Sequence, residues 1–182
     1  MPELSNSKSH PDQKLYPPNP PAESLFESYK NMVFRLGLVR TRSAQDADDI
    51  VQEVFVRYLR HKPQFDSQSH EKAWFIRTAI NYTGDLLRAR ARRGEMPKQD
   101  TGADDPRLAE AGEGVMHQIL ELCEEQRVAI HLHYYEGYKV EEIAELTGVT
   151  ASAVKSRLMR GRQNLRRSIE QEQTDQREEI AL

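Results

Sequence analysis

The sequence predicts an all-α protein with two small helical domains joined by a flexible linker. Apolar residues recur at helical spacing in two separate stretches, and no stretch shows the strict alternation typical of a strand. The segment between them has two prolines, four glycines and six acidic residues. These patterns divide the chain into a disordered tail at 1–21, a helical domain at 22–93, an acidic linker at 94–114, a second helical domain at 115–168 and an acidic tail at 169–182.

The composition limits the class of protein. Of the 182 residues, 37% are hydrophobic and the mean hydropathy is −0.78, which favours small helical units with long exposed segments. The only cysteine, Cys123, excludes an internal disulfide and fits a reducing compartment. No run is long and apolar enough for a membrane span. We therefore expect a soluble cytoplasmic protein without membrane insertion.

The first helix follows a tail that contains six prolines. Ser24 and Glu27 form a Ser-x-x-Glu capping box, which predicts a helix start at Ser24. Apolar residues then repeat every three or four positions. The predicted inner stripe is Leu25, Phe26, Tyr29, Met32, Val33, Leu36 and Val39.

Two more helices complete the first domain. The second opens at Ser43 with Asp46 three residues on, and Pro63 ends it. Its predicted stripe is Ala47, Ile50, Val51, Val54, Phe55, Tyr58 and Leu59. A loop at Lys62–Ser69 precedes a third helix at about Glu71–Arg93, with Ala73, Ile76, Ile80, Thr83 and Leu87 facing inward. Three helices with short connections predict a compact bundle.

Acidic residues cluster on the second helix, at Asp46, Asp48, Asp49 and Glu53. A metal site, or a nuclease or recombinase active centre, would need a third ligand or a histidine nearby, and none follows in sequence. A solvated face and a docking face for a basic partner both remain open. No nucleophile triad or glycine-rich phosphate loop is present. We therefore expect no catalytic residue, metal or cofactor.

The second domain opens with a short helix from Val115 and a helix at Glu124–Tyr135, with Gly137 placed to end it. The stretch Lys139–Arg162 then has two helical patterns around a turn at Thr147–Thr150, the form of a helix-turn-helix. Gly148 can adopt the positive φ that such a turn needs. The last helix is expected to end near Ile169.

The second helix of this pair has a polar and basic outer face. Its residues off the inner stripe are Thr150, Ser152, Lys155, Ser156, Arg157 and Arg160. Such side chains suit the major groove of DNA. The alternative is an ordinary helical hairpin with a solvated basic face. Six basic residues and no acid lie between Ala151 and Arg167, so local charge favours phosphate binding despite the net charge of −3.

Two aromatic residues open the third helix beside the Lys62–Ser69 loop. Trp74 can stack on an unpaired base or seal the bundle, and the sequence supports both equally. For Phe75 the pattern favours the core. Farther along the same helix, Arg77–Arg93 carries five arginines against Asp85, which predicts a second positive patch.

These parts together resemble the bacterial sigma factors, specifically the extracytoplasmic-function (ECF) group. DADDIVQEVFVRYLR at Asp46–Arg60 and AWFIRTAINYTGDLLRAR at Ala73–Arg90 are similar to sigma region 2, and Leu122–Arg166 is similar to region 4. The order of the two matches, with a linker and no region 3 domain between them, is that of the ECF group. The implied fold is a three-helix region 2 bundle and a four-helix region 4 with a helix-turn-helix. Lys139 departs from the pattern, since a Ser or Thr N-cap is common there.

The resemblance implies transcription initiation without catalysis by this chain. It implies contacts with core RNA polymerase through Asp46, Asp49, Gln52 and Glu53. It implies contacts with the melted minus-10 strand through Lys62, Phe65, Trp74, Arg77, Asn81, Asp85 and Arg88. It implies contacts with the minus-35 element through Thr150, Ser152, Lys155, Ser156, Arg157 and Arg160.

Two further expectations accompany the resemblance. The acidic linker would thread toward the polymerase active site, and an anti-sigma factor would hold the two domains together in an inactive state. The alternative function is a stand-alone helix-turn-helix regulator, which would bind duplex DNA without polymerase, usually as a dimer.

Overall fold

The computed structural model describes residues 20–95, 105, 107 and 113–180, and these residues form helices without any strand. The first domain comprises α1 (Ala22–Thr41), α2 (Ala44–His61) and α3 (Gln68–Arg93). The second comprises α4 (Glu113–Glu121), α5 (Glu124–Ile130), a π-helical turn (His131–Tyr135), α6 (Val140–Thr147) and α7 (Ala151–Ile180). The prediction of an all-α fold is confirmed. The sequence also predicts a short helical piece near Leu108, which lies outside the described residues.

α1 is the central helix of the first domain and is buried on almost every side beyond Met32. It packs against α2 and α3 and also contacts α5 of the second domain. A helix surrounded in this way has apolar residues all round, not in a single stripe. Phe34 and Leu38, which lie off the predicted stripe, are therefore fully buried.

The core of this domain is aromatic. The Phe75 ring lies 4.7 Å from that of Tyr29, 5.1 Å from Phe55 and 5.8 Å from Tyr58, measured between centroids. The prediction that Phe75 faces the core is confirmed, since its side chain has no exposed surface. Tyr29 also donates a buried hydrogen bond of 2.6 Å to Glu71, so this buried carboxylate has a partner.

Serine caps fix the starts of two helices. Ser43 accepts a hydrogen bond from the Asp46 N–H at the start of α2, as the sequence predicts. Ser67 does the same for His70, so α3 begins at Gln68, one turn earlier than expected.

Four details of the prediction were wrong. Phe26, placed in the inner stripe of the first helix, is 38% exposed. Ser24 does not start α1, because the carbonyl of Pro21 already accepts the first helical hydrogen bond, from Leu25. Leu59 is 53% exposed, since it lies past the end of the α2 contact with the bundle. α7 continues beyond Ile169 to Ile180, because Arg162–Ile180 contains no glycine or proline and is rich in helix-forming Gln, Glu and Arg.

The second domain is built around the helix-turn-helix. Ile143 and Leu146 of α6 pack against Val154 and Leu158 of α7, and all four are buried. Gly161 allows α7 to approach Ile130 closely, since a Cβ there would lie 3.0 Å from its side chain. The expected single helix at Glu124–Tyr135 is in fact α5 followed by the π-helical turn, where Glu136 N–H bonds to His131 five residues back.

The two domains meet along a polar seam, which we define as the contacts of α1 and α3 with Glu121–Tyr138. Arg127 is 6% exposed and donates from Nε to the Val39 carbonyl at 2.7 Å. Arg42 pairs with Glu121 at 2.6 Å, and Arg40 pairs with Glu124 at 3.0 Å. A separate set of contacts joins α3 to the second domain, through Lys72 and Glu136 at 2.8 Å. Ion pairs and hydrogen bonds to backbone carbonyls are the polar contacts of this boundary, and the buried apolar residues of the two domains belong to one continuous cluster.

Candidate nucleic-acid and polymerase interfaces

The helix-turn-helix has the geometry of a tight turn. Gly148 has φ +71° and its N–H donates to the Ala144 carbonyl at 2.9 Å, which confirms the prediction of a positive φ. Thr150 accepts a hydrogen bond from the Ala153 N–H at 3.2 Å and so caps α7. α6 begins without a side-chain cap from Lys139, and instead the Glu142 carboxylate accepts from the Lys139 N–H at 2.7 Å. The start of α7 is thus fixed and points toward solvent.

A concave surface of about 540 Å³ lies beside the first turns of α7. Five of the six residues predicted to contact the minus-35 element line it: Thr150, Ser152, Ser156, Arg157 and Arg160. Lys155 is exposed but does not line this surface. The structure thus separates Lys155 from the two arginines, a distinction that sequence spacing did not make.

The first turn of α5 forms the opposite wall of this concave surface, with Cys123, Glu125 and Gln126. Its own backbone N–H and the Cys123 side chain, together with nearby Arg157, lower the pKa of Glu125 against the opposing effect of burial. The carboxylate therefore stays charged beside Arg157, where it can orient that guanidinium or accept from a base amino group. Sequence analysis missed Glu125, because nothing local indicates that α5 approaches α7.

The outer face of α3 presents the residues predicted for the minus-10 strand. Arg77 and Asn81 are exposed, and Asp85 pairs with Arg88 at 2.7 Å on the surface. Trp74 is half-buried, with its ring edge against Tyr58 and Phe65 at 6.1 Å each. Trp74 thus packs on the bundle and keeps a partly exposed surface, and its stacking on an unpaired base stays a prediction.

The loop before α3 is held down by an aromatic anchor. Phe65 is only 8% exposed and stacks on Tyr58, with 6.4 Å between ring centroids. Its ring therefore fixes the loop in this structure and offers no free stacking face to a base. Lys62 is exposed, with a left-handed backbone at φ 44° that ends α2.

The acidic face predicted for polymerase docking is only partly exposed. Asp49 and Gln52 face solvent, and Glu53 is half-buried and pairs with Arg57 at 2.8 Å. Asp46 lies inside, 1% exposed, where it accepts two hydrogen bonds from Arg90 of α3. A side chain paired in this way stabilises the bundle and is not available to a partner on the outer face.

The second domain lies close to the start of the α3 face. Lys72 donates to the Glu136 carbonyl at 3.0 Å and lies 5.5 Å from the centroid of the Tyr138 ring. Burial raises the pKa of Tyr138 to about 12, with Glu136 and Glu142 acting in the same direction and Arg77 in the opposite one. Arg77 is thus within electrostatic reach of Tyr138, and the polar seam borders the face predicted to hold the minus-10 strand.

The described part of the chain lacks two features. Its residues contain no group of three or more His, Cys, Asp or Glu side chains arranged to hold a metal ion. None of its helices combines the length and apolar character required to cross a bilayer.

Comparison with known proteins identifies both domains. Residues 25–93 match the family model for sigma-70 region 2, and residues 113–165 match that for sigma-70 region 4. The ECF RNA polymerase sigma-E factor of Haemophilus influenzae is 30% identical over 165 residues, which cover 80% of this chain and 86% of that protein. The ECF sigma factor SigM of Mycobacterium tuberculosis is 29% identical over 147 residues, covering 80% of this chain and 75% of the relative.

A solved structure has a similar fold. The sigma factor RpoE of Bartonella quintana, determined with the anti-sigma factor NepR, superposes with a TM-score of 0.64 at 20% identity, over 81% of this chain and 96% of that one. This likeness concerns the fold alone. Taken with the family matches and the sequence relatives, it leads to one conclusion: the chain belongs to the ECF RNA polymerase sigma factors and has a sigma factor's function in transcription initiation.

Proposed function

We propose that this sigma factor docks on core RNA polymerase through the exposed part of α2 and grips a promoter at two points. The α3 face would hold the melted minus-10 strand, and the concave surface on α7 would read the minus-35 major groove. The observation that carries the proposal is the separation of three surfaces on one chain: an acidic one on α2 and two that bear arginine, on α3 and α7. The acidic surface on α2 suits a basic face of the polymerase, and the two arginine-bearing surfaces suit the phosphates of DNA.

Docking on polymerase is assigned to Asp49, Gln52 and Glu53. Asp49 and Gln52 are exposed, and Glu53 would exchange Arg57 for a basic group of the polymerase. Asp46 is left out of this set, because its partner is Arg90. The chain itself would catalyse no reaction, since initiation uses the active site of the polymerase.

The minus-10 face would use Arg77, Asn81 and Arg88 for the backbone of the strand. Trp74 would stack on one unpaired base, a contact worth about 1–3 kcal/mol. Lys62 would add a phosphate contact from the neighbouring loop. Because the second domain borders Arg77, full access to this face would require the seam to open.

Two binding points on one promoter gain from effective concentration once polymerase holds both domains. The free chain would then bind duplex DNA weakly. This separates the proposal from a stand-alone regulator, which the comparisons do not favour and which would bind operator DNA tightly without polymerase. We also propose an anti-sigma partner and a cytoplasmic location, supported by the resemblance to the RpoE fold and by the need to meet polymerase.

The docking face is tested by measuring the affinity of labelled full-length protein for core polymerase. Asp49→Asn and Gln52→Ala should each weaken binding, since each removes an exposed polar contact. Glu145→Gln is the matched control, because Glu145 is an exposed carboxylate on α6, away from α2. Equal affinity of all variants would contradict the assignment of α2. Transcript mapping after overexpression would then reveal both promoter elements from aligned start sites.

A further inference from the structure

A groove of about 540 Å³ runs between α1 and α2, next to the proposed docking face. Its walls include Phe26, Asn31, Asp48, Val51 and Gln52. Asp48 and Gln52 are four residues apart on α2 and so lie on one side of the helix. The groove therefore shares Gln52 with the surface assigned to polymerase.

Arg107 of the linker forms one side of this groove. Its Nη1 lies 2.6 Å from Oδ1 of Asp48 and its Nη2 lies 3.4 Å from Oδ2, so both Nη atoms contact the carboxylate. Its Nη2 also donates to Asp105 at 2.5 Å, and its Nε donates there at 2.8 Å. The centre of the guanidinium lies 3.4 Å from the centroid of the Phe34 ring.

These contacts have the chemistry of a built arginine site. A carboxylate that pairs with both guanidinium nitrogens, above an aromatic face, matches the planar, weakly hydrated arginine head and not the compact lysine ammonium. Phe34 is fully buried although it lies off the inner stripe predicted for α1. Arg107 is one of the groups that cover it, so a cation that replaced Arg107 would meet the same ring face.

We propose that Asp48 and the Phe34 ring, beside this groove, form an arginine-recognition site on the polymerase-docking surface, and that Arg107 occupies it in the free protein as an intramolecular stand-in for an arginine of the polymerase. The proposal rests on the proposed function, since it specifies how the same α2 surface is used. Docking then exchanges one guanidinium for another, and the linker is released from the first domain in the same step.

The effect of Arg107 on the affinity for polymerase follows from its contacts. Arg107 is tethered to the domain that it contacts, so its local concentration is high, yet its side chain is 32% exposed and that of Asp48 is 48% exposed. A partly exposed ion pair with a cation–π contact accounts for a factor of about three to ten in a binding constant. This is large enough to lower polymerase affinity and small enough for a polymerase arginine to overcome.

The test is a double-mutant cycle on full-length protein, with the dissociation constant for core polymerase as the readout. Arg107→Ala should tighten binding about three- to tenfold. Asp48→Asn should weaken it, because the incoming arginine loses its carboxylate. In the Asp48→Asn background, Arg107→Ala should change the affinity little, since no site remains to compete for. An unchanged or weaker affinity for Arg107→Ala, or the same gain in both backgrounds, would overturn the proposal.

A control variant and an NMR measurement accompany the double-mutant cycle. Arg93→Ala is the control for lost charge, because Arg93 is an exposed arginine paired with Glu95, away from the groove. Without polymerase, the Nη–H signals of Arg107, whose Nη1 and Nη2 meet the Asp48 carboxylate, should be visible by ¹⁵N NMR in the wild-type protein and broadened by Asp48→Asn. A signal unaffected by Asp48→Asn would also overturn the proposal. Failure of the wild-type protein to bind polymerase at all would instead contradict the proposed function.

Discussion

Inside the first domain, Phe55 and Phe75 pack ring against ring with almost no exposed surface, whereas between the domains Arg127, Arg42 and Lys72 meet carbonyls and carboxylates. Apolar burial depends little on salt or pH, and ion pairs depend on both. The domain interior should therefore persist under conditions that open the seam. For a protein proposed to hold single-stranded and duplex DNA at separate points, a rigid unit with a separable boundary is the useful combination.

The largest expected effect is in the aromatic core. Phe75→Ala removes a fully buried ring and should lower the free energy of unfolding of the first domain by about 3–5 kcal/mol. The sole tryptophan, Trp74, lies in this domain and reports its unfolding by fluorescence in urea. Leu59→Ala is the control, because the 53% exposed Leu59 side chain should cost about 0.5 kcal/mol or less. Equal losses for the two variants would contradict the core assignment.

At the seam, the next largest effect should come from Arg127. Arg127→Ala leaves the Val39 and Leu122 carbonyls, 2.7 Å and 2.8 Å from the guanidinium, without this donor. A hydrogen bond from a charged donor is worth about 1.5–3 kcal/mol. The variant should therefore separate the domains, seen as a larger radius of gyration in solution scattering.

The unfolding midpoint reported by Trp74 should move much less in Arg127→Ala than in Phe75→Ala. Arg92→Ala, which changes an exposed arginine at the end of α3, should leave the radius of gyration unchanged. If Arg127→Ala and Phe75→Ala lowered the urea midpoint reported by Trp74 equally, the seam and the aromatic core would form one cooperative unit. That result would contradict the expected difference in stability between the seam and the interior of the first domain.

The sequence predicted the elements that depend on local pattern and missed those made by distant contacts. The α2 stripe, the Ser43 cap and the turn at Gly148 follow from spacing and residue type, and the structure confirms each apart from Leu59. Arg127 was a helix residue without an assigned role. Its contact with Val39, 88 positions away, has no local signal.

The same limit explains the errors in the candidate interfaces. Asp46 belongs to an acidic cluster in sequence, and only the fold of α3 brings Arg90 to it. Phe65 is part of a polar loop in sequence, and only the bundle supplies the Tyr58 ring beneath it. Clusters of charged residues and aromatic residues in loops therefore predict a binding face. Side chains that are distant in sequence, such as Arg90 and Tyr58, determine which residues of that face remain exposed.

On α7, Lys155 and Arg157 are expected to make different contacts with DNA. Arg157 lines the concave surface and should contact a base edge, so Arg157→Ala should cost about 1–3 kcal/mol of minus-35 binding and relax sequence preference. Lys155 lies outside that surface and should contact phosphate, so Lys155→Ala should weaken binding equally on all promoters. Its log–log salt slope should fall by about 0.9.

The measurement is binding of polymerase holoenzyme to promoters with a matched or altered minus-35 element over a range of salt concentrations. Gln163→Ala, an exposed change one to two turns farther along α7, is the control. Unchanged promoter preference and affinity in both the Lys155 and Arg157 variants would count against α7 as the recognition helix.

The smallest expected effect concerns pH. Burial would raise the pKa of Glu136, but the adjacent His131 and the Lys72 ammonium lower it to about 2. A carboxylate with a lowered pKa stabilises the folded arrangement above its unfolded pKa of 4.5 and loses that contribution as pH falls toward 2. The seam should therefore weaken progressively as the pH falls between these values.

The radius of gyration measured against pH should show this weakening in the wild-type protein. Glu136→Gln should give a flatter curve in the same range, because no carboxylate remains to be protonated at that position. Identical curves for the two proteins would show that Glu136 does not hold the seam.

The central claim, promoter-specific initiation, is tested most directly by transcription in vitro with purified core polymerase from the same organism, this protein and a promoter mapped from its own start sites. The account predicts a discrete run-off transcript that requires both the protein and an intact minus-35 element, and a strong loss of that transcript with Arg157→Ala. A transcript of equal yield without the protein, or no specific transcript with it, would contradict the account.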